Sequence, residues 1–180
     1  MAGRVFATSD HHFSHANILH YANRPFKDKQ QMDVELIKRW NETVDADDIV
    51  YHLGDFGFGK VEYLSGVYWR LNGTKYLIMG NHDGTRSRMQ KIGFDPGMIG
   101  RLNYMIVDGI QVHMIHDPSK FGRDVGPGEV VLFGHLHNTP CQYDTLDGWV
   151  NCCVENWDYR PVLLETLINK GLTKNGTSTL

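Results

Sequence analysis

The stretch Thr74–Asp83 reads TKYLIMGNHD, an apolar run of strand length that breaks at once into glycine, asparagine, histidine and aspartate. A continuous run of apolar and β-branched residues is typical of a strand whose sheet is covered on both faces. The polar residues after it then lie at the carboxyl end of the strand, where open α/β sheets place their binding sites. This single junction predicts an α/β fold with a site at one edge of its sheet.

Four further junctions of the same kind occur along the chain. Each is a short apolar run followed immediately by a residue that can bind a metal ion or transfer a proton. The residues that follow the five runs are Asp10 and His12; Asp55; Asn81, His82 and Asp83; His116; and His135 and His137. Because the carboxyl ends of neighbouring strands meet at one edge, the repetition predicts that these residues gather in one site.

Helical patterns separate the first strands. Apolar residues recur at helical spacing from Asp28 to Val44, and a second stripe from Val61 to Leu71 ends at Asn72-Gly73, a typical helix stop. Asp108-Gly109 between two apolar runs predicts a hairpin. Other predicted elements are a short helix at 85–92 and short strands at 129–133, 142–145, 149–154 and 162–165. This order predicts an α/β sandwich of mixed sheets with helices on the outside.

The length of 180 residues favours one domain, which we assign to residues 1–170. The small, polar residues 171–180 show no periodicity and predict a disordered tail. No apolar stretch approaches the roughly 20 residues of a membrane span, and the short run Val5 to Ala7 does not predict a signal peptide. The three cysteines, two of them the neighbours Cys152 and Cys153, favour a reducing compartment. We therefore expect a cytoplasmic protein with no membrane partner.

The charge balance argues against one class of partner. The formal net charge is -3 at neutral pH, so the chain has no global basic field with which to attract a polyanion. Duplex nucleic acid is therefore not an expected partner, whereas a small phosphate ester remains compatible with this composition.

The five motifs stand in the order Asp10-His11-His12, Gly54-Asp55, Gly80-Asn81-His82-Asp83, the single His116, and Gly134-His135-Leu136-His137. This set resembles the calcineurin-like metallophosphoesterase superfamily, whose motifs are D-x-H, G-D, G-N-H-[DE], a lone His and G-H-x-H in that order. The resemblance spans about three quarters of the chain. It implies a four-layer α/β/β/α sandwich of two mixed β-sheets flanked by helices, with a dinuclear metal centre.

The resemblance assigns seven residues to two divalent metal ions. Those of the first ion are Asp10, His12 and His137; those of the second are Asn81, His116 and His135; and Asp55 bridges the two. Carboxylate, imidazole and amide ligands without thiolate suit transition ions, of which Mn²⁺ is favoured and Fe, Zn and Ni fit the same set. Two such ions against two aspartates leave a net charge of about +2, which attracts a phosphate ester.

The reaction implied by the resemblance is hydrolysis of a small phosphodiester or phosphomonoester, such as a nucleotide or cyclic nucleotide, by a hydroxide that bridges the two ions. The resemblance implies that His82 is the general acid, a task suited to an imidazole, whose unperturbed pKa lies close to neutrality. Asp83 is the second catalytic candidate, as the group that orients His82. His15 and Arg86 are the candidates for binding the substrate phosphate, and Arg24 and Lys120 are further candidates of the same kind.

Two alternatives remain open. A nuclease for single-stranded nucleic acid needs a basic groove lined with aromatic rings, and the cluster that offers this is Tyr21, Arg24, Phe26 and Lys27. A non-catalytic interaction module on the same fold is indicated by loss of ligands, which this sequence does not show. The residues after Asp55 lack the Asp-Arg-Gly of the protein Ser/Thr phosphatases, which disfavours a phosphoprotein substrate.

Overall fold

Short strands form two sheets in the computed structural model, which describes residues 3–173. The strands are β1 (Val5–Thr8), β2 (Ile49–His52), β3 (Thr74–Ile78), β4 (Ile99–Gly100), β5 (Leu102–Val107), β6 (Ile110–Ile115), β7 (Glu129–Phe133), β8 (Trp149–Asn151) and β9 (Val162–Leu163). The first sheet has the order β4-β3-β2-β1-β9 and the second β5-β6-β7-β8.

Both sheets are mixed. In the first, β1, β2, β3 and β4 run parallel and β9 pairs antiparallel with β1. In the second, β5 and β6 form the antiparallel hairpin that Asp108-Gly109 predicts, and both turn residues have positive φ, as a two-residue hairpin turn requires. Strands β6, β7 and β8 are parallel. The parallel strands therefore bring their carboxyl ends to a common edge within each sheet.

The helices are α1 (Ile18–Tyr21), α2 (Lys29–Asn41), α3 (Val61–Tyr68), α4 (Arg86–Ile92) and α5 (Leu164–Leu172). The Asp28 carboxylate caps α2 by accepting from the Gln31 N–H at 2.8 Å, which satisfies one of the free amides of the first turn. Thr85 caps α4 in the same way through the Arg88 N–H. Four short 3₁₀ turns complete the described chain, at Pro96–Met98, Pro118–Lys120, Gln142–Asp144 and Val154–Trp157.

Apolar side chains pack in three layers. The first cluster lies between helices and the first sheet, where Trp40, Leu64 and Leu77 are almost completely buried. The second lies between the sheets, with Val112 and Leu132 opposite Ala7, and it includes buried residues of α5. The third covers the outer face of the second sheet around Phe133. The fold class predicted from the sequence, two mixed sheets flanked by helices, is confirmed.

Three details of the prediction are wrong. Residues 142–145 form a 3₁₀ turn, which the Asp144 carboxylate closes by accepting from the Cys141 N–H, and not a strand. The strand predicted at 162–165 ends at Leu163, where α5 begins. Gly171 and Leu172 belong to that helix and not to a tail, while residues 174–180 of the predicted tail lie outside the described residues. Across residues 3–173, no helix is long and apolar enough to cross a membrane.

Candidate metal centre

The five motifs meet at the carboxyl ends of β1, β2, β3, β6 and β7. Backbone hydrogen bonds join the loops that carry them: the Asp10 N–H donates to the Gly54 carbonyl and the His12 N–H to the Asp55 carbonyl, each at 3.0 Å. The two sheets are joined at the same place, because the His135 N–H donates to Asp10 Oδ2 at 2.9 Å. The sequence prediction that these residues gather at one edge therefore agrees with their positions.

The first donor group consists of Asp10, His12 and His137, whose ligand atoms lie within 4.8 Å of one another. The Nε2 atoms of His12 and His137 are 3.7 and 3.8 Å from Asp10 Oδ1. Burial by itself raises the pKa of the Asp10 carboxyl, but the His12 imidazole and the neighbouring His116 and His137 outweigh it and hold that pKa well below its usual range. The Asp10 carboxylate is therefore ionised at neutral pH.

The second donor group consists of Asn81, His116 and His135. Asn81 Oδ1 lies 2.9 Å from His116 Nε2 and 3.0 Å from His135 Nδ1. Asp55 stands between the two groups, since its Oδ2 is 3.5 Å from His12 Nε2 and 3.6 Å from His116 Nε2. Asp10, Asp55 and His116 also satisfy the distance requirement for holding a common cation. The geometry thus provides two adjacent donor groups with one carboxylate between them.

The donor atoms themselves indicate that cations belong here. Asp10 Oδ1 and both ring nitrogens of His12 are buried and have no hydrogen-bond partner among residues 3–173. A buried polar atom without a partner is costly, so such atoms in a folded protein usually bind something. Imidazole, carboxylate and amide donors without thiolate suit divalent transition ions. The residues present therefore fit the metal centre that the resemblance implies.

The backbone is strained at most of the predicted ligands. Asp10, His12, Asp55, His135 and His137 all have φ between 49° and 73°, in the left-handed region that residues with a Cβ rarely occupy. Such strain of about 1–3 kcal/mol per residue persists only when the surrounding structure enforces it, and it concentrates at functional sites. Five strained ligands in one cluster indicate that ligand placement takes precedence over backbone stability here.

Glycine is required at two motif positions because side chains of other loops lie very close to the backbone there. A Cβ at Gly80 would collide with the Asp55 carboxylate, and a Cβ at Gly134 would collide with the Ser9 hydroxyl and the Asp10 carboxylate. Any side chain at these positions would push a predicted ligand out of place. The glycines of G-N-H-D and G-H-L-H thus allow the loops after β3 and β7 to approach the aspartates.

Hydrogen bonds fix which nitrogen two of the histidines present. His116 Nδ1 donates to the Leu53 carbonyl at 2.8 Å, so its Nε2 is free toward Asn81 and Asp55. His137 Nδ1 donates to Glu155 Oε1 at 3.0 Å, so its Nε2 is free toward Asp10. Histidines that bind metals commonly donate their other ring N–H to a carboxylate or carbonyl, which fixes the tautomer.

Glu155 and Arg24 form a buried ion pair behind the first donor group, and sequence reasoning missed it. The Arg24 guanidinium donates to Glu155 Oε1 at 2.6 and 2.9 Å and to the carbonyls of Asp10 and His11 at 2.6 and 2.7 Å. Their side chains are 0% and 2% exposed. The suggestion that Arg24 binds a substrate phosphate is therefore wrong. Glu155 follows no strand junction, so the pattern that revealed the other residues could not indicate it.

His82 and His15 lie at the open side of the cluster. The His82 N–H donates to Asp55 Oδ1 at 2.8 Å, while its ring is exposed and its centroid lies 5.5 Å from that of His12. The His15 ring lies 5.3 Å from His12 and 6.2 Å from His82. Partial burial and the charges of His12 and His82 lower the pKa of His15 to about 4. His15 is therefore neutral at pH 7 and can take part only as a hydrogen-bonding or stacking group.

Asp83 does not orient His82, which corrects the prediction made for it. Its buried carboxylate accepts from three backbone N–H groups: those of Gly80 at 2.7 Å, Phe56 at 2.8 Å and Asp55 at 3.0 Å. Burial raises the pKa of the Asp83 carboxyl, and these N–H groups only partly offset that effect. Asp83 therefore ties the loop after β3 to the loop after β2 and holds Asp55 in position.

The Arg86 guanidinium donates to the Pro96 carbonyl, and Arg86 is not among the residues that line the cleft at the second donor group. This cleft of about 410 Å³ borders the second donor group, with Asn81, His116 and His135 on one side and Arg101 and Lys120 on the other. Lys120, one of the further candidates, thus lies at the cleft, and Arg101 is a cation that sequence reasoning did not single out. The substrate-binding role of Arg86 remains only a prediction.

Comparison with known proteins gives relatives along nearly the whole chain. The uncharacterized protein MJ1445 of Methanocaldococcus jannaschii is 31% identical over 171 residues, which cover 92% of this chain and 89% of that protein. The protein of unknown function AQ665 from Aquifex aeolicus has the same fold, with a TM-score of 0.73, 27% identity and coverage of 93% of this chain and 98% of its own. No family model matches.

The chain belongs to the same family as MJ1445. A novel archaeal phosphodiesterase is a weaker structural match, with 20% identity, a TM-score of 0.47 and coverage of 83% of this chain and 82% of its own. The five motifs in their order and the two adjacent donor groups agree with the resemblance to the calcineurin-like metallophosphoesterase superfamily. It does not identify a substrate, because one fold of this kind serves many activities.

Proposed function

We propose that the protein is a metal-dependent phosphoesterase that hydrolyses a small phosphodiester or phosphomonoester. The observation that carries the proposal is the pair of adjacent donor groups with Asp55 between them. Their buried donor atoms include three that have no hydrogen-bond partner in the described part of the chain. Asp10, His12 and His137 would hold one divalent ion and Asn81, His116 and His135 the other. Mn²⁺ suits this imidazole-rich set better than Mg²⁺ does.

When bound, two such ions activate a water nucleophile and neutralise charge on the phosphoryl oxygens. The protein's own contribution is to place their ligands. Asp83 and the backbone hydrogen bonds of Asp10 and His12 hold the three loops of the first half of the chain together. The His135 N–H links the second sheet to these loops by donating to Asp10 Oδ2. The ligands are thus set before a substrate arrives, which reduces the cost of reorganisation during the reaction.

His82 is the proposed general acid for the leaving oxygen. Its backbone is fixed by the hydrogen bond to Asp55, whereas its exposed ring is free to meet a substrate beside His12. His82→Ala should retain both metal ions and lower turnover by about 10²–10⁴-fold on substrates with poor leaving groups. The loss should shrink with p-nitrophenolate, which departs without a proton. A variant that loses metal, or is impaired equally on both substrates, would show that His82 is not the acid.

The proposal is tested by metal reconstitution. Metal-free protein should be inactive on bis(p-nitrophenyl) phosphate and p-nitrophenyl phosphate, and Mn²⁺ should restore hydrolysis better than Mg²⁺. Asp55→Asn should stay inactive under the same conditions, while Asp45→Asn, at an exposed carboxylate beside Arg4, should behave as wild type. Full activity in Mg²⁺ with a chelator for transition ions present would contradict the choice of metal, and inactivity with every ion would contradict the proposed reaction.

Neither alternative function gains support from the positions of its residues. Arg24 is buried in its ion pair and the Phe26 ring packs on Tyr159, so the predicted groove cluster does not form a basic groove. An interaction module that has lost its ligands is disfavoured, since all seven predicted ligands are present and close together.

A further inference from the structure

A row of aromatic rings lies beside the candidate metal centre, on the side of the first donor group. The His15 ring stacks on Phe58 with centroids 4.8 Å apart, and the centroids of His82 and Phe58 are 6.0 Å apart in an edge-to-face arrangement. Tyr21 continues the row, 6.5 Å from His15. We call Tyr21, His15, Phe58 and His82 the ring wall. It connects to the donor groups through His12, which both histidines of the wall approach.

The Phe58 and Tyr21 rings of the ring wall are largely exposed to solvent. Phe58 is 50% exposed and Tyr21 76%, whereas Phe13 and Phe56 on the same two loops are completely buried. The Phe58 backbone is not loose, because its N–H donates to the Phe13 carbonyl at 2.8 Å. Large apolar side chains that are held rigid and left in solvent beside a polar site indicate a binding surface.

Positive charge lies in the cleft that borders the second donor group. Arg101 and Lys120 line the cleft that borders the second donor group, and Met79 and Ile115 supply apolar lining. Lys120 lies near Asp117 and helps to lower the pKa of that carboxyl. Arg101 forms no ion pair within residues 3–173. A volume of about 410 Å³ accommodates one arm of a small substrate.

We propose that the substrate is a phosphodiester with a planar nucleobase on the arm that stacks on Phe58 and a second phosphate on the arm that enters the cleft at Arg101 and Lys120. A 5′-phosphorylated dinucleotide has both features. The inference rests on the proposed phosphoesterase function and names the substrate class for the same site. The ring wall recognises the base because any nucleobase offers a flat face for stacking, and the guanidinium of Arg101 suits a phosphate.

The test uses matched dinucleotides. Wild-type protein loaded with Mn²⁺ is given pdTpdT, two analogues in which one thymine or the other is replaced by an abasic site, and dTpdT without the 5′-phosphate. Removing the base that stacks should lower kcat/KM by about 5- to 150-fold, the range of one base–aromatic stack. Bis(p-nitrophenyl) phosphate runs alongside, so that failure of the reaction itself can be recognised separately.

Variants assign the effect to the ring wall. In Phe58→Ala the ratio of kcat/KM for pdTpdT to kcat/KM for the sensitive abasic analogue should fall close to one. In Phe58→Leu this ratio should fall partly, and the leucine variant guards against a folding defect in the alanine variant. Arg101→Ala should remove most of the preference for pdTpdT over dTpdT. Tyr104→Ala, at an exposed tyrosine on the far edge strand β5, is the matched control and should keep both preferences.

Binding provides a readout that does not depend on turnover. A non-cleavable methylphosphonate analogue of pdTpdT should bind wild-type protein more tightly than it binds Phe58→Ala, as measured by calorimetry. Equal cleavage of pdTpdT and both abasic analogues by wild type, with bis(p-nitrophenyl) phosphate also cleaved, would overturn this inference and leave the proposed function standing. No cleavage of any of these compounds would overturn both.

Discussion

The buried Glu155 carboxylate makes a sharp prediction about the first donor group. Glu155→Gln preserves an oxygen that can accept from His137 Nδ1 and from Arg24, so the arrangement around the ring is kept while the negative charge is removed. A hydrogen bond to a charged group contributes about 1.5–3 kcal/mol and a neutral one about 0.5–1.5 kcal/mol. The expected loss of about 1–1.5 kcal/mol weakens metal binding at this position about 5- to 13-fold.

Glu155→Ala should have the larger effect because the whole hydrogen bond is lost. The same arithmetic gives about 13- to 160-fold, which overlaps the 10- to 100-fold measured when partners of metal ligands are removed elsewhere. The second donor group should bind its ion as in wild type, since His116 is oriented by the Leu53 carbonyl and not by Glu155. Both variants should also be less stable, as Arg24 loses its buried counter-ion; breaking such a pair costs about 3–5 kcal/mol.

The assay is titration of metal-free protein with Mn²⁺ by calorimetry, below the melting temperature of every variant. Asp48→Asn is the matched control, because Asp48 is also a buried carboxylate paired with an arginine, Arg4, but touches no predicted ligand. Affinities in Glu155→Gln that remain within twofold of wild type at both positions would refute the role given to Glu155. Equal weakening in Asp48→Asn would show that the loss reflects general destabilisation.

Asp55→Asn should weaken binding of both ions, because Asp55 lies between the two donor groups. His116→Ala should empty mainly the second position. Elemental analysis measures the metal content, and equal metal loss in the two variants would argue against a bridging Asp55. The hydrogen bonds from Arg123 and the Gly126 N–H lower the pKa of Glu129 from its usual 4.5 to about 2. The folded state therefore binds this proton less readily than the unfolded chain, so Glu129 stabilises the fold above about pH 4.5 and the contribution is lost as the pH falls toward 2. The difference in melting temperature between wild type and Glu129→Gln should shrink over that interval, and a constant difference would contradict this linkage. Burial raises the pKa of the thiols of Cys152 and Cys153, and both side chains are buried. A thiol reagent should therefore label only Cys141 in the native protein. Labelling of all three cysteines at one rate, measured by mass spectrometry, would contradict this prediction.

The hydrophobic pattern was sufficient to predict most of the elements. The runs before Asp10, Asp55 and Asn81 are strands that pair in parallel, and the stripe from Asp28 contains helix α2. These elements form where local propensity and burial agree, so a single sequence contains the information. The pattern failed at α5, where a two-residue strand leads directly into the helix. In such a run of leucine and β-branched residues, periodicity does not distinguish strand from helix.

Some residues of the candidate site could be predicted from the sequence and others could not. The sequence by itself determined the residues that follow each strand, because the end of an apolar run marks the position where a side chain reaches the sheet edge. It could not assign Asp83, whose neighbour in the chain is His82 but whose carboxylate faces the amides of another loop. It also could not reveal Glu155, which lies 131 residues from Arg24 along the chain. Only the tertiary structure decided these contacts, because they depend on how separate loops pack and on burial, which strengthens the interaction between charges. Neither the packing of loops nor this burial produces a periodic pattern in the sequence.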